Sequence, residues 1–274
     1  MYPRLPIFGG GLRLVYLFLI AAGLLAWRLF RDFAPLERRT ANRRFLEALL
    51  WGLAAARLVE YLIFLPQYLG LGPVQRMITY QGLAFWPGLA AGLGTLWRRA
   101  AKNDEKPWEL VAAALRALPA ALAVVWLGAL VDGTAFGTPS ELPWALEPGM
   151  YTPSAFIAEY GPAAYAFNPG TMAAFRIHPV QAYFMAACLL IFALPPRLRR
   201  RLGDPRAFSA VIVGLLALLW LVLGFLRNDN PVLILGLRAP QLQALGGLIW
   251  SVVILLSRPE TRKRTTTTNR PYRR

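Results

Sequence analysis

Residues Trp126 to Trp144, WLGALVDGTAFGTPSELPW, decide how the chain is read. The stretch closes a hydrophobic run, passes Gly128, Gly133 and Gly137 at intervals of five and four, and reaches Pro139 and Pro143. That spacing suits a helix end that opens into a tight turn. The residues before it read as an even number of membrane crossings, and those after it as the return.

Composition places the chain in a membrane. Of 274 residues, 57% are hydrophobic and 16% charged, whereas soluble domains carry nearer a quarter charged. The net charge of +16 would suggest nucleic acid in a soluble protein. Here the basic residues cluster between apolar runs, which excludes that partner. One cysteine, Cys188, allows no intramolecular disulfide. With a single histidine besides, no metal site and no cofactor are expected.

Seven runs approach the roughly 20 residues that cross a hydrocarbon core. They span Leu12–Phe30, Phe45–Phe64, Met77–Trp97, Trp108–Val131, Pro179–Leu194, Phe208–Leu226 and Pro240–Leu256, the fifth being the shortest. The first is read as a span, since no small-x-small cleavage site succeeds it. Alternate connections are basic: Arg31, Arg38, Arg39, Arg43 and Arg44; Arg98, Arg99, Lys102 and Lys106; Arg197, Arg199, Arg200, Arg201 and Arg206; and seven more in the tail. These hold 21 of the 30 basic residues, which places the N-terminus outside and the C-terminus in the cytoplasm.

The fold class expected is therefore an all-α integral membrane protein with seven transmembrane helices. Residues 1–257 form the membrane domain, including a small extracytoplasmic cap over 132–178. The cap is expected to be ordered, because its connection is long and rich in aromatics. Residues 258–274 form a basic tail, expected to be disordered and to lie against anionic lipid.

Few residues carry chemistry. Arg57 and Glu60 lie three apart within the second span, hence on one face. They read equally as a structural ion pair or as a substrate-binding pair. Arg116 reads as a residue that snorkels to the cytoplasmic interface. His178, in RIHPVQAY, stands at the outer mouth of the fifth span with Gln181 and Tyr183 one turn away. Histidine's ordinary titration range suits a general base, and a histidine before proline is also a common helix-start residue. Arg227 and Arg238 flank the last outer connection. They suit either a bidentate grip on a lipid phosphate or interfacial anchoring. Cys188, among apolar neighbours, reads as a core residue.

Five segments in order resemble the bacterial prolipoprotein diacylglyceryl transferases. GTAFGTPSELPW from Gly133 is similar to that family's NGELxGRPTDLPW, and RIHPVQAY from Arg176 to RHPSQLYE. ARLVEYLIF from Ala56 resembles GARLGYVLF, QGLAFWPGLAAG from Gln81 resembles GGLSFHGGLLG, and WLVLGFLRNDN from Trp220 resembles RFLVEFFREPD. The resemblance covers nearly the whole chain and implies the same seven-span, N-out topology in the bacterial cytoplasmic membrane. It implies transfer of the diacylglyceryl group of phosphatidylglycerol to the lipobox cysteine of a preprolipoprotein. Phospholipid and a preprolipoprotein signal segment are then the partners. His178 and Asp132 become the candidate catalytic residues, and Arg57, Glu60, Gln181, Tyr183, Arg227 and Arg238 the candidate substrate-binding ones.

The family's polar residues are largely replaced. Trp86 stands where the family has the histidine of HGG, and Trp126 and Ala129 where it has the arginine and asparagine of GRxGN. Thr134 and Thr138 replace the glutamate of NGE and the arginine after the next glycine. Trp220 and Gly224 replace the arginine and glutamate of RFxxEF, and Phe184 the glutamate closing HPSQLYE. Tryptophan at three such positions would fill a polar cavity, and losing an aimed charged donor typically costs a hundredfold or more in rate. Two readings stand: a transferase with a site rebuilt from Asp132, His178, Arg57 and Arg227, or a non-catalytic homologue that binds lipid or a partner segment. A transporter is disfavoured, since the chain shows no internal repeat.

Overall fold

The computed structural model describes residues 4–7, 10–63, 65, 83–135, 137–138, 140–146, 176–194, 198, 201–227 and 232–257. The first six residues of the third expected span, most of the long connection between residues 132 and 178, the NDNP segment and the basic tail lie outside the described residues.

Among the described residues the chain is mostly helical, with helices α1 (Leu14–Phe33), α2 (Arg38–Ile63), α3 (Phe85–Lys102), α4 (Pro107–Asp132), α5 (Val180–Ala193), α6 (Pro205–Gly224) and α7 (Ala239–Leu256). Each falls on one of the seven apolar runs. Helices α1, α4, α6 and α7 are long and apolar enough to cross a membrane. Helix α5 is apolar but has 14 residues, about 21 Å of rise, and is shorter than a typical hydrocarbon core. Helices α2 and α3 carry charged ends.

Helix α4 is the axis of the bundle. Its run AAALRALPAALAVV offers little side-chain bulk, so α1, α3, α5 and α6 all pack against it. Pro107 occupies its first turn, where a missing N–H costs nothing. Its other end closes on Gly133 at φ +72°, with Gly133 N–H on the Leu130 carbonyl and Thr134 N–H on Ala129. This is a Schellman stop, and only glycine takes that backbone without strain. The turn expected after Trp126 is therefore present.

Small residues also set the other helix contacts. A Cβ on Gly88 of α3 would sit 2.9 Å from the Ala56 Cβ of α2 and 3.0 Å from the Gly52 carbonyl oxygen. Helices packed by small residues approach closely even where lipid supplies no hydrophobic drive. Pro87, within the third expected span, falls in the first turn of α3 and so breaks no hydrogen bond. At the start of α2 the buried Arg44 grips Glu105 through two bonds of 2.7 and 3.2 Å. Glu47 receives Arg43 and Arg99 at 3.0 Å each. These pairs tie α2 to α3 and to the α3–α4 turn.

The helical fold carries two small additions outside its helices. Two short antiparallel hairpins are present, β1 (Arg4–Ile7) with β2 (Gly10–Arg13), and β3 (Val232–Ile234) with β4 (Leu237–Arg238). The second connects α6 to α7. Its turn takes Leu235 and Gly236 through positive φ, and that two-residue turn leaves no length for a helix.

Candidate functional site

The C-terminal ends of α4 and α6 and the start of α5 meet around the segment after Gly133. Gly137 forms an isolated antiparallel bridge with Arg227. Thr138 N–H donates to the Leu226 carbonyl (2.8 Å), and its own carbonyl accepts from His178 N–H (3.0 Å). Leu146 pairs with Ile177, and Ser140 N–H donates to the Arg176 carbonyl (2.9 Å). The short stretch 137–146 is thus threaded between the start of α5 and the end of α6. Gly137 is required by closeness rather than by φ, because a Cβ there would lie 2.6 Å from Val180 Cγ2.

Side chains reinforce the weave. Gln181, buried in the first turn of α5, donates Nε2–H to the Thr134 carbonyl at 2.6 Å. Trp144 Nε1–H donates to Tyr183 Oη at 2.8 Å. His178 Nδ1 lies 3.5 Å from the same hydroxyl, which is long for a productive bond. His178, Gln181 and Tyr183 therefore come together, and Gln181 is spent on the backbone.

Directly beneath lies a block of aromatic rings. Trp126 stacks on Phe184 with centroids 4.0 Å apart, and Phe85 stacks on Trp220 at 4.7 Å. Trp220 also meets Phe184 at 5.0 Å, Trp126 at 5.9 Å and Trp86 at 6.1 Å. Trp86, Trp126, Phe184 and Trp220 are the four positions at which aromatic rings replace polar motif residues, and here they touch one another. All four are buried. The indole N–H groups of Trp86 and Trp126 have no hydrogen-bond partner among the described residues, so ring packing holds the block. Another replaced position, Gly224, is equally closed, because a Cβ there would lie 2.5 Å from Gln241 Cγ.

Arg227 sits over the block, its guanidinium carbon 5.4 Å from the Trp126 ring centroid, which favours a cation. Arg227 and Arg238 line one shallow cleft with Trp220, Gly224, Pro240 and Gln241, with enclosed room for about a single water. Gln241 holds this wall. It is 1% exposed, accepts from Arg238 N–H at 3.0 Å and donates to the Leu221 carbonyl at 3.0 Å. Sequence reasoning misses Gln241. The signal is there in the three-residue offset from Arg238, the spacing at which a glutamine caps a helix start. Trp144 likewise reads only as scaffold in the sequence.

The remaining candidates sit elsewhere. Asp132 is 1% exposed at the end of α4. It lies one turn beyond Gly128, whose Cα faces the Phe18 ring of α1. Residues four apart share a helix face, so Asp132 belongs to the α1 side, about 120° around the helix from Trp126. Arg57 and Glu60 lie on α2, which packs against α3 and α1. The arrangement as a whole presents two arginines at the mouth of a cleft, over a floor of packed aromatic rings. It suits gripping an anionic group at the surface and offers little polar room below.

A family model described as prolipoprotein diacylglyceryl transferase matches residues 7–257. The search of curated proteins gave no significant match.

Proposed function

The chain belongs to the prolipoprotein diacylglyceryl transferase family, and from that premise we propose that it binds a glycerophospholipid in the outer cleft while the transfer reaction itself is lost. The observation that carries the proposal is the aromatic block. In the family resemblance, the positions of Trp86, Trp126, Phe184 and Trp220 hold a histidine, two arginines and a glutamate. In this chain four mutually packed rings hold them. Transfer to a thiol needs a base for the thiol and cations for the departing phosphate, both aimed at the reacting atoms. Packed rings offer neither.

The setting proposed is the bacterial cytoplasmic membrane, crossed seven times with the N-terminus outside. Seven helices on seven apolar runs support it, as do the basic connections on alternate sides. Residues 1–257 are then the membrane domain and 258–274 a cytoplasmic tail. With this topology Arg227, Arg238 and His178 share the outer face. Phosphatidylglycerol is the lipid proposed, its phosphate between Arg227 and Arg238, where guanidinium groups give charge-assisted hydrogen bonds. A preprolipoprotein signal segment is the second ligand the family scaffold suits. Arg57 and Glu60 are assigned to the α2–α3 packing, and Asp132 to the α1 face.

One observation favours the other reading, a site rebuilt around His178. Its imidazole shares the Tyr183 hydroxyl with Trp144. The His178–Tyr183 separation of 3.5 Å is long for a productive bond, and the rings beneath leave little polar room for a reacting thiol and phosphate, so the binding reading is preferred.

Lipid retention tests the proposal. The protein, purified from membranes of mixed lipid, is analysed by mass spectrometry for what it carries. Phosphatidylglycerol is expected to be enriched over phosphatidylethanolamine, with the enrichment reduced at least tenfold in Arg227→Gln/Arg238→Gln. Equal lipid profiles in the two proteins would remove the cleft from the account.

A further inference from the structure

We propose that the β3–β4 hairpin inserts its tip into the outer leaflet beside the Arg227–Arg238 cleft, holding the mouth of that cleft at headgroup depth. The inference rests on the proposed topology, in which the α6–α7 connection faces the outer leaflet.

The tip is unusual for a turn in water. Ile234 pairs with Leu237 across a two-residue turn whose central residues, Leu235 and Gly236, have φ of +52° and +75°. Turns with positive φ at both positions prefer asparagine, aspartate or glycine first. Leu235 takes that place with a branched side chain, and it is 93% exposed. A bulky residue in left-handed backbone is a genuine outlier, and such strain points to a role.

The ribbon has no polar face. A bulge between Val232 and Ile234 interrupts the regular alternation of the strand, and Leu233, Ile234 and Leu235 are all exposed. A hairpin surrounded by water shows alternation of apolar and polar residues. This one reads VLILGL from Val232 to Leu237, which fits an apolar medium on both faces. Its outer backbone edges lack strand partners among the described residues, and unpaired peptide groups are excluded from the hydrocarbon centre. The depth that satisfies both constraints is the boundary between headgroups and acyl chains.

Position and charge agree with that depth. The hairpin joins adjoining ends of two helices that are each long and apolar enough to cross a membrane. At the end of α6, Val222 and Phe225 are also exposed and extend the apolar surface. Arg238 ends the ribbon and lines the cleft with Arg227. Cations at phosphate level above a wedge of apolar side chains are the pattern of interfacial binding. The occupant is thus lipid, and the hairpin sets where lipid headgroups meet the two arginines.

The test uses the full chain in nanodiscs containing phosphatidylglycerol. Leu235→Cys, and separately Leu233→Cys, is labelled with an environment-sensitive maleimide dye. Cys188 is buried and stays in place, with the unmutated protein as the labelling control. Emission should be blue-shifted and quenched several-fold more by spin labels high on the acyl chain than by labels at its end or by aqueous iodide. Strong iodide quenching with no lipid quenching at both positions would overturn the inference. Protection that appears only on adding an apolar signal peptide would assign the tip to a peptide and overturn it too. Phosphatidylglycerol retention is measured on the same samples. Lipid quenching without retention leaves the hairpin inference standing and removes the headgroup site, and retention without lipid quenching does the reverse.

Discussion

Replacing Trp220 by alanine tests whether the aromatic block is a packed core. Trp220 contacts Phe85, Phe184, Trp126 and Trp86, with centroids from 4.7 to 6.1 Å away. In a soluble protein, Trp→Ala in the core costs about 3–5 kcal/mol, part of it the transfer of apolar surface to water. In a bilayer the surroundings are as apolar as the core, so that part largely disappears. What remains is the cavity. Removing an indole leaves roughly 140 Å³, and at about 24 cal/mol per Å³ this costs about 3 kcal/mol. At about 2–4 °C per kcal/mol for chains of this size, the midpoint of thermal unfolding in lipid-supplemented detergent should fall by roughly 6–12 °C. Trp144, 58% exposed and held by one hydrogen bond, is the control, and Trp144→Ala should shift the midpoint by about a quarter of that. Equal shifts for the two variants, or a fall under about 2 °C for Trp220→Ala, would refute the picture of a filled cavity.

Three further outcomes are expected from other contacts. Glu105→Ala leaves Arg44, with a side chain 7% exposed, with only the Glu47 carboxylate at 3.7 Å and should cost about 1–3 kcal/mol; adding Arg44→Met should recover most of the loss in the same unfolding assay. Gly88→Ala forces a Cβ against Ala56 and the Gly52 carbonyl and should destabilise by about 1–3 kcal/mol. Gly94→Ala, with nothing within 4 Å of the new atom, should be neutral or stabilising by a few tenths up to about 1 kcal/mol. Gln241→Leu strips a buried carbonyl of its donor and should cost about 1–3 kcal/mol, and by freeing the Arg238 backbone it should also weaken phosphatidylglycerol retention.

The apolar runs locate the helices because a membrane demands long, nearly uninterrupted apolar segments. The stop after α4 is legible because Gly133 meets the steric demand of a left-handed cap. The hairpin of Val232–Arg238 is not, since VLILGL lacks the alternation that marks a strand and a bulge interrupts its pairing. The motif departures at Trp86, Trp126, Phe184 and Trp220 are visible one at a time. That they touch depends on how α3, α4, α5 and α6 pack, which no local pattern carries. Asp132 and His178 look like partners in the sequence because both flank the outer connection. Helical phase sets Asp132 toward α1 instead, and phase at a helix end is fixed by packing rather than by spacing in the sequence.

The most direct test of the central claim is transfer of labelled diacylglycerol from phosphatidylglycerol to a lipobox peptide by the purified protein. A family member with the polar motif residues runs in parallel, and His178→Ala is included. The account predicts no transfer above the protein-free control while phosphatidylglycerol stays bound. Transfer at a rate near that of the other family member, abolished in His178→Ala, would contradict it and show that the chemistry was rebuilt at the mouth of α5.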